Sequence, residues 1–161
     1  MNERCYLTIQ EAHELLKQRK ISSVELTKSV LRRIAEVEDK VPFNTKLLER
    51  GVESWKKRWD MKEGGNNGFP TFPMPVNLEF LLYYGYIKND SKALEFVHTT
   101  LEKMARGGIY DQVGGGFARY SVDGIWKVPH FEKMLYDNGQ LLSIYSKGYQ
   151  QYKNEEFKRV V

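Results

Sequence analysis

A single cysteine, Cys5, stands in 161 residues. No disulfide can close within the chain, and no Cys/His metal cluster can form. Neither a metal nor a cofactor is expected. This cysteine usage suits a reducing cytoplasm, which is the expected location. Long apolar runs are missing as well. None approaches the roughly 18–20 residues needed to cross a bilayer, and the N-terminus has no apolar signal core. Charge of one sign is also in short supply: Lys and Arg number 25 against 21 Asp and Glu, a net of +4. Basic clusters such as Lys56-Lys57-Arg58 and Arg32-Arg33 lie beside acids on predicted helices. No stripe of Arg and Lys with interleaved aromatics appears, so no nucleic-acid partner and no membrane partner is expected.

What the chain does have is 41% hydrophobic and 13% aromatic residues, which excludes disorder as a description of the whole. The length allows one domain, or one domain plus an appendage, with a sizeable core. Residues 8–39 read as a helical hairpin. Thr8 to Glu11 and Ser22 to Glu25 have capping-box spacing, each followed by apolar residues at helical period. Val41-Pro42-Phe43-Asn44 breaks the pattern. A third helix is predicted at about 45–59, carrying Leu47, Leu48, Val52, Trp55 and Trp59. The stretch 64–75 holds three glycines and three prolines, which excludes helix and central strand. It also carries Phe69, Phe72 and Met74, so it is expected to be ordered and packed.

Helices follow at about 76–87 and 91–105. The first is apolar nearly all round, as an inner helix would be. The second is capped by Asn89-Asp90-Ser91 and stopped by Gly107-Gly108. Strand-like runs 117–122 and 125–128 flank Asp123-Gly124, the signal for a two-residue β-hairpin turn. A long helix is predicted from about 131 to 151. The tail 154–161 begins another and ends apolar, at Val160-Val161. The expected fold is therefore mainly α, built of helical hairpins, with one small β-hairpin near 117–128.

Residues 107–137 are where chemistry is concentrated. The run Gly107-Gly108-Ile109-Tyr110-Asp111-Gln112-Val113-Gly114-Gly115-Gly116 lets the backbone approach a ligand or another segment closely. It is not a Walker loop, for no Gly-Lys-Ser/Thr follows, and not a dinucleotide fingerprint, for a hairpin comes next. Tyr110, Arg119, Tyr120, Trp126 and Lys133 supply stacking faces and hydrogen-bonding groups for a substrate. His130, Glu132, Asp111 and Asp137 are the catalytic candidates. Carboxylates beside a cleft lined by aromatics are the equipment of sugar chemistry, and a His with an acid can move a proton at a sugar carbon. Each residue also has a plain reading: His130 as a helix cap, Asp111 as a turn former, Lys133–Asp137 as a helix ion pair, Arg119 as a partner for an acid.

Residues from about 46 to 161 resemble the C-terminal part of the thioredoxin-domain-containing, spermatogenesis-associated protein family. The runs that carry the likeness are Phe72-Pro73-Met74-Pro75, Met104 to Gln112, Gly114 to Asp123, and Trp126 to Asn138. The resemblance implies a helical toroid of six hairpins, similar to N-acylglucosamine epimerases and six-hairpin glycosidases. About half of the toroid's helices are expected here, so the fold expected is an incomplete (α/α) toroid. The family's thioredoxin-like domain and its Cys-x-x-Cys are absent, and Thr71 stands where the family usually has a lysine in Ala-Pro-Lys-Phe-Pro. Residues 6–40 resemble instead the N-terminal helices of amidase signature proteins, notably the A subunit of the glutamyl-tRNA amidotransferase, through Leu7-Thr8-Ile9 and Ile21 to Thr27. The catalytic core of that family, with its Ser-Ser-Lys triad, is absent, so amidase activity is not expected.

The expected organisation is a helical hairpin over 1–41 and a partial toroid over 42–161. The expected function is that of a carbohydrate-processing or carbohydrate-binding fragment, catalytically incomplete alone. The alternative is a non-catalytic interaction module that self-associates through uncovered helices. The expected site gathers Asp111, Arg119, His130, Glu132 and Asp137 on one concave surface, with His130 and Glu132 on the first turn of a helix, where a desolvated carboxyl has a raised pKa.

Overall fold

The computed structural model describes residues 3–37 and 45–161. The chain is mainly helical and divides into two compact units, Met1–Glu49 and Arg50–Val161. The break expected at Val41-Pro42-Phe43-Asn44 lies outside the described residues. Among the described residues, no helix is long and apolar enough to cross a membrane.

The first unit begins with a 3-10 turn, Glu3–Tyr6, followed by α1 (Ile9–Lys17) and α2 (Ser23–Val37). Both capping boxes form. The Thr8 hydroxyl accepts from the Glu11 amide while the Glu11 carboxylate accepts from Thr8 N–H, and Ser22 and Glu25 do the same. Bonding to the Ser22 backbone, and then to Arg4, draws the Glu25 carboxyl down to about 2. Only Ile21 and Ser29 are buried among this unit's described residues. Ile9, Val24, Leu31 and Ile34 remain exposed.

The second unit takes in the end of α3 (Thr45–Lys56), then α4 (Pro75–Lys88), α5 (Ser91–Arg106), α6 (Leu135–Tyr152) and α7 (Glu155–Val160). α5 starts where the Asp90 carboxylate accepts from Ala93 N–H, the cap read from the sequence. α4 packs on α5 and α6, and α7 on α5 and α6. Their shared core is Leu81, Val97, Leu101, Met104, Leu141, Ile144, Tyr145 and Phe157, all essentially inaccessible. The Tyr145 hydroxyl is satisfied by the Leu101 carbonyl at 2.7 Å. α4 is only partly an inner helix. Leu78, Leu81, Leu82 and Tyr84 are buried, but Val76, Phe80, Tyr83 and Ile87 are exposed at helical spacing.

Two long loops, 57–74 and 107–134, join α3 to α4 and α5 to α6. They lie side by side. Thr71 and Ser121 exchange backbone hydrogen bonds of 2.8 and 2.9 Å, and the indole N–H of Trp126 donates to the Glu63 carbonyl at 2.8 Å. Each loop opens with the same motif, displaced by 51 residues: Trp59-Asp60 with Gly64-Gly65, and Tyr110-Asp111 with Gly115-Gly116. In each, the Asp N–H donates to the second glycine's carbonyl and the first glycine's N–H donates back to the Asp carbonyl, all at 2.9 Å. In each, one Asp carboxylate oxygen gathers two backbone N–H groups two and three residues on. The four glycines have φ between 73° and 79°, the left-handed region where only glycine is unstrained. The second unit is thus an internal repeat of helix, motif loop and helix.

Three expectations require correction. The two-residue hairpin turn at Asp123-Gly124 does not form. The Asp123 carboxylate instead accepts from Ile125, Lys127 and Val128 N–H and from the Ser121 hydroxyl, so the loop closes around it. Pairing shrinks to isolated bridges such as Ser121 with Pro129, and no strand ladder develops among the described residues. Gly107 does not stop α5 in a left-handed cap; its φ is −76°. A side chain is excluded there and at Gly108 because a Cβ would lie 2.5 Å from the Trp126 carbonyl oxygen and 2.1 Å from that of Lys127. The helix expected from 131 starts at Leu135 instead.

Candidate functional site

The late start of α6 rearranges the expected site. Residues 129–133 are not helical, and the chain bends at Phe131. His130 N–H donates to the Tyr120 carbonyl, and Arg119 N–H donates to the Glu132 carbonyl, each bond at 2.8 to 2.9 Å. Pro129, Phe131 and Lys133 line a cavity, whereas His130 and Glu132 contact Tyr120 and Arg119, which splits the candidate residues into two groups.

The first group lines a cavity of about 390 Å³, formed by Tyr110, Asp111, Gln112, Phe131 and Lys133 together with Ile109 and Ala118. The Lys133 ammonium donates to Asp111 at 2.6 Å and to the Gly115 carbonyl at 2.8 Å. The expected helix pair between Lys133 and Asp137 is thereby excluded, since Lys133 lies outside α6. Bonding to Lys133, and then to the backbone N–H groups of Gly114 and Val113, holds the Asp111 carboxyl at about 2. It is an anion at any physiological pH and has no proton to donate. Gln112 anchors its amide N–H₂ to the carbonyls of Ala105 and Gly107, which leaves its oxygen to accept. Tyr110 is buried against Phe117 with ring centroids 4.8 Å apart, and Arg159 lies over its ring. Phe131 is 90% exposed at the rim.

The second group lies outside that lining. His130 stacks on Tyr120 at 4.6 Å with the planes 16° apart, and Tyr120 meets Phe72 at 4.9 Å. Glu132 reaches the Arg119 guanidinium at 3.5 Å and His130 Nδ1 at 3.9 Å. Glu132 is half exposed and precedes α6 by three residues, so the desolvated acid on a helix's first turn is not present. Asp137 does sit in the first turn of α6. It makes no ion pair among the described residues. Trp126 must be removed from the substrate-binding candidates. It is fully buried, its ring packs against Gly65, and its N–H is committed to Glu63.

The sequence reading missed the relation between the two loops and therefore missed the first loop as a place for chemistry. That signal was present in the aromatic-Asp-x-x-x-Gly-Gly spacing at 59–65 and 110–116. A second cavity of about 330 Å³ lies there, lined by Arg58, Asn66, Asn67, Phe69, Phe72 and Met74 among others. Among the described residues, no group of three or more His, Cys, Asp or Glu is placed to hold a metal ion.

No family model matches the chain. It is 45% identical over 113 residues to spermatogenesis-associated protein 20 of Homo sapiens, covering 68% of this chain but 14% of that protein. The protein of the same name in Rattus norvegicus is 44% identical over 123 residues, covering 74% of this chain and 16% of that protein. The A subunit of the glutamyl-tRNA(Gln) amidotransferase of Thermoanaerobacter pseudethanolicus is 34% identical over 110 residues, 64% of this chain and 22% of that protein. That alignment is longer than the segment 6–40 on which the amidase likeness was read. The chain spans a small fraction of each relative's length, and over most of its own it is similar to spermatogenesis-associated protein 20.

Proposed function

We propose that the second unit is part of a toroid of helical hairpins whose loop end binds a neutral carbohydrate in the cavity of Tyr110, Asp111, Gln112, Phe131 and Lys133. The internal repeat of helix, motif loop and helix supports the toroid. One observation carries the ligand. Lys133 has three donors and spends two, on Asp111 and Gly115, so one remains. The neighbouring Asp111 oxygen accepts from Lys133 and keeps acceptor capacity. A donor and an acceptor 2.6 Å apart match two adjacent hydroxyls of a sugar ring, and Phe131 offers a flat apolar face at the rim. The volume falls within the range of small-molecule sites, about 300–1,000 Å³.

The reading is binding rather than catalysis. Asp111 is a fixed anion, and Glu132 lies beside Arg119, outside the cavity lining. Calorimetric titration with a panel of neutral mono- and disaccharides tests it. At least one is expected to bind, and Phe131→Ala to weaken it about tenfold with the melting temperature unchanged. If no saccharide binds, or if Phe131→Ala leaves the affinity intact, the proposal fails.

A second reading, self-association, is favoured by the exposed row Val76, Phe80, Tyr83 and Ile87 on α4. Apolar surface of that kind marks interfaces. Sedimentation showing a monomer at all accessible concentrations would remove it.

A further inference from the structure

The two motif loops share the backbone hydrogen bonds of their Asp-to-Gly-Gly turns, and each carries a cavity. The cavities share two equivalent positions and otherwise draw on different parts of their loops. Arg58 and Asn67 line the one at the positions that Ile109 and Ala118 hold in the other. What differs is the charge. The cavity at Tyr110 contains an internally neutralised Asp111–Lys133 pair. The cavity at Arg58 has no carboxylate in its lining, and the Arg58 guanidinium makes no ion pair among the described residues.

The other walls are equally specific. The Asn66 carbonyl oxygen is used by the Trp55 indole N–H at 3.0 Å, and the Asn67 amide N–H₂ by the Trp59 carbonyl at 3.3 Å. Those bonds fix both side chains and leave the Asn66 N–H₂ as a donor and the Asn67 oxygen as an acceptor. Phe69 is 80% exposed, and Phe72 is 42% exposed with its ring backed by Tyr120. Two aromatic faces, a fixed amide donor, a fixed amide acceptor and one uncompensated guanidinium converge on about 330 Å³.

We infer that this first-loop cavity is a second ligand site, for a sugar ring bearing one anionic group, a carboxylate or a phosphate. The ring lies against Phe69 and Phe72, the amides of Asn66 and Asn67 read adjacent hydroxyls, and Arg58 takes the anion in a charge-assisted, two-pronged contact. The choice of a sugar rests on the reading of the cavity at Tyr110. The choice of an anion rests on Arg58 and stands by itself.

The test uses the 161-residue chain and calorimetric titration with glucuronate, glucose 6-phosphate, glucose and inorganic phosphate. In the Phe131→Ala chain, one of the two anionic sugars is expected to bind at least about tenfold more tightly than glucose or phosphate, a difference of about 1.4 kcal/mol. Arg58→Gln and Phe69→Ala should each reduce that binding about tenfold, while Phe131→Ala leaves it unchanged. Both altered side chains are exposed, and circular dichroism with an unchanged melt confirms that the variants fold. Arg58→Lys should restore part of the affinity lost in Arg58→Gln, as a point charge without the planar fork. Three results would overturn the inference. Phosphate alone could bind as tightly as the sugar phosphate, glucose could bind the Phe131→Ala chain as tightly as either anionic sugar does, or Phe131→Ala could abolish the binding. If no neutral sugar binds at Phe131 while an anionic sugar still binds at Arg58, the reading of the cavity at Tyr110 is refuted and this one stands.

Discussion

At the residue scale, Asp111 joins stability to the cavity. Its carboxyl titrates near 2 in the folded chain and near 3.9 when unfolded. A depressed folded value means that the stabilisation is fully present above about pH 4 and is lost as the pH falls toward 2. Thermal melts of the chain should therefore drop in that window, and Asp111→Asn should flatten the drop while lowering stability at neutral pH. A wild-type acid profile identical to that of Asp111→Asn would contradict the assignment. Trp126 was legible in the sequence as an important aromatic but not as a buried one. Its indole could face either a ligand or the core on equal chemical grounds. What decides is Gly65, whose missing side chain makes room for the ring: a Cβ there would sit 2.8 Å from Trp126 Cζ2. Gly65→Ala also forces a non-glycine residue to φ of 75°, and should cost about 1–3 kcal/mol in chemical denaturation. A neutral effect would mean that the two loops are not locked together.

At the element scale, most helices were readable because their ends are written in side chains. Thr8, Ser22 and Asp90 each cap a helix through local hydrogen bonds that involve only nearby residues. The start of α6 was not readable. The expected boundary followed Pro129, but Val128, His130 and Glu132 are held by the backbone of Val122, Tyr120 and Arg119, a partner no local pattern announces. The β-hairpin failed for a related reason: Asp123 could serve a tight turn or bond backbone N–H groups itself, and the second option satisfies three of them. The same logic gives a prediction at Asp90, which caps α5 and also pairs with Lys56. Asp90→Ala removes both roles and should destabilise the chain by about 1–2 kcal/mol, the range of a lost cap. Asp90→Asn, which can still accept from Ala93 N–H, should recover part of it. Equal losses in the two variants would place the effect in the ion pair rather than the cap.

At the scale of the whole molecule, the two units differ in what holds them. The second has a continuous core along α4 to α7, whereas the first buries little beyond Ile21 among its described residues. Removing residues 1–37 should leave the melt of the remainder within about 2 °C of the parent, and a collapse of that melt would show the division to be wrong. Within the second unit, the repeat places two cavities at one end of the helices, formed by loops that touch through Thr71, Ser121 and Trp126. The central question is whether the second-loop cavity takes a sugar. Amide chemical-shift mapping by two-dimensional NMR during titration with a neutral saccharide measures that. The predicted result is a saturable shift centred on Tyr110 to Gln112 and Phe131 to Lys133, leaving α4 and the first unit unmoved. Shifts absent at those residues, or centred on the exposed row of α4, would contradict it.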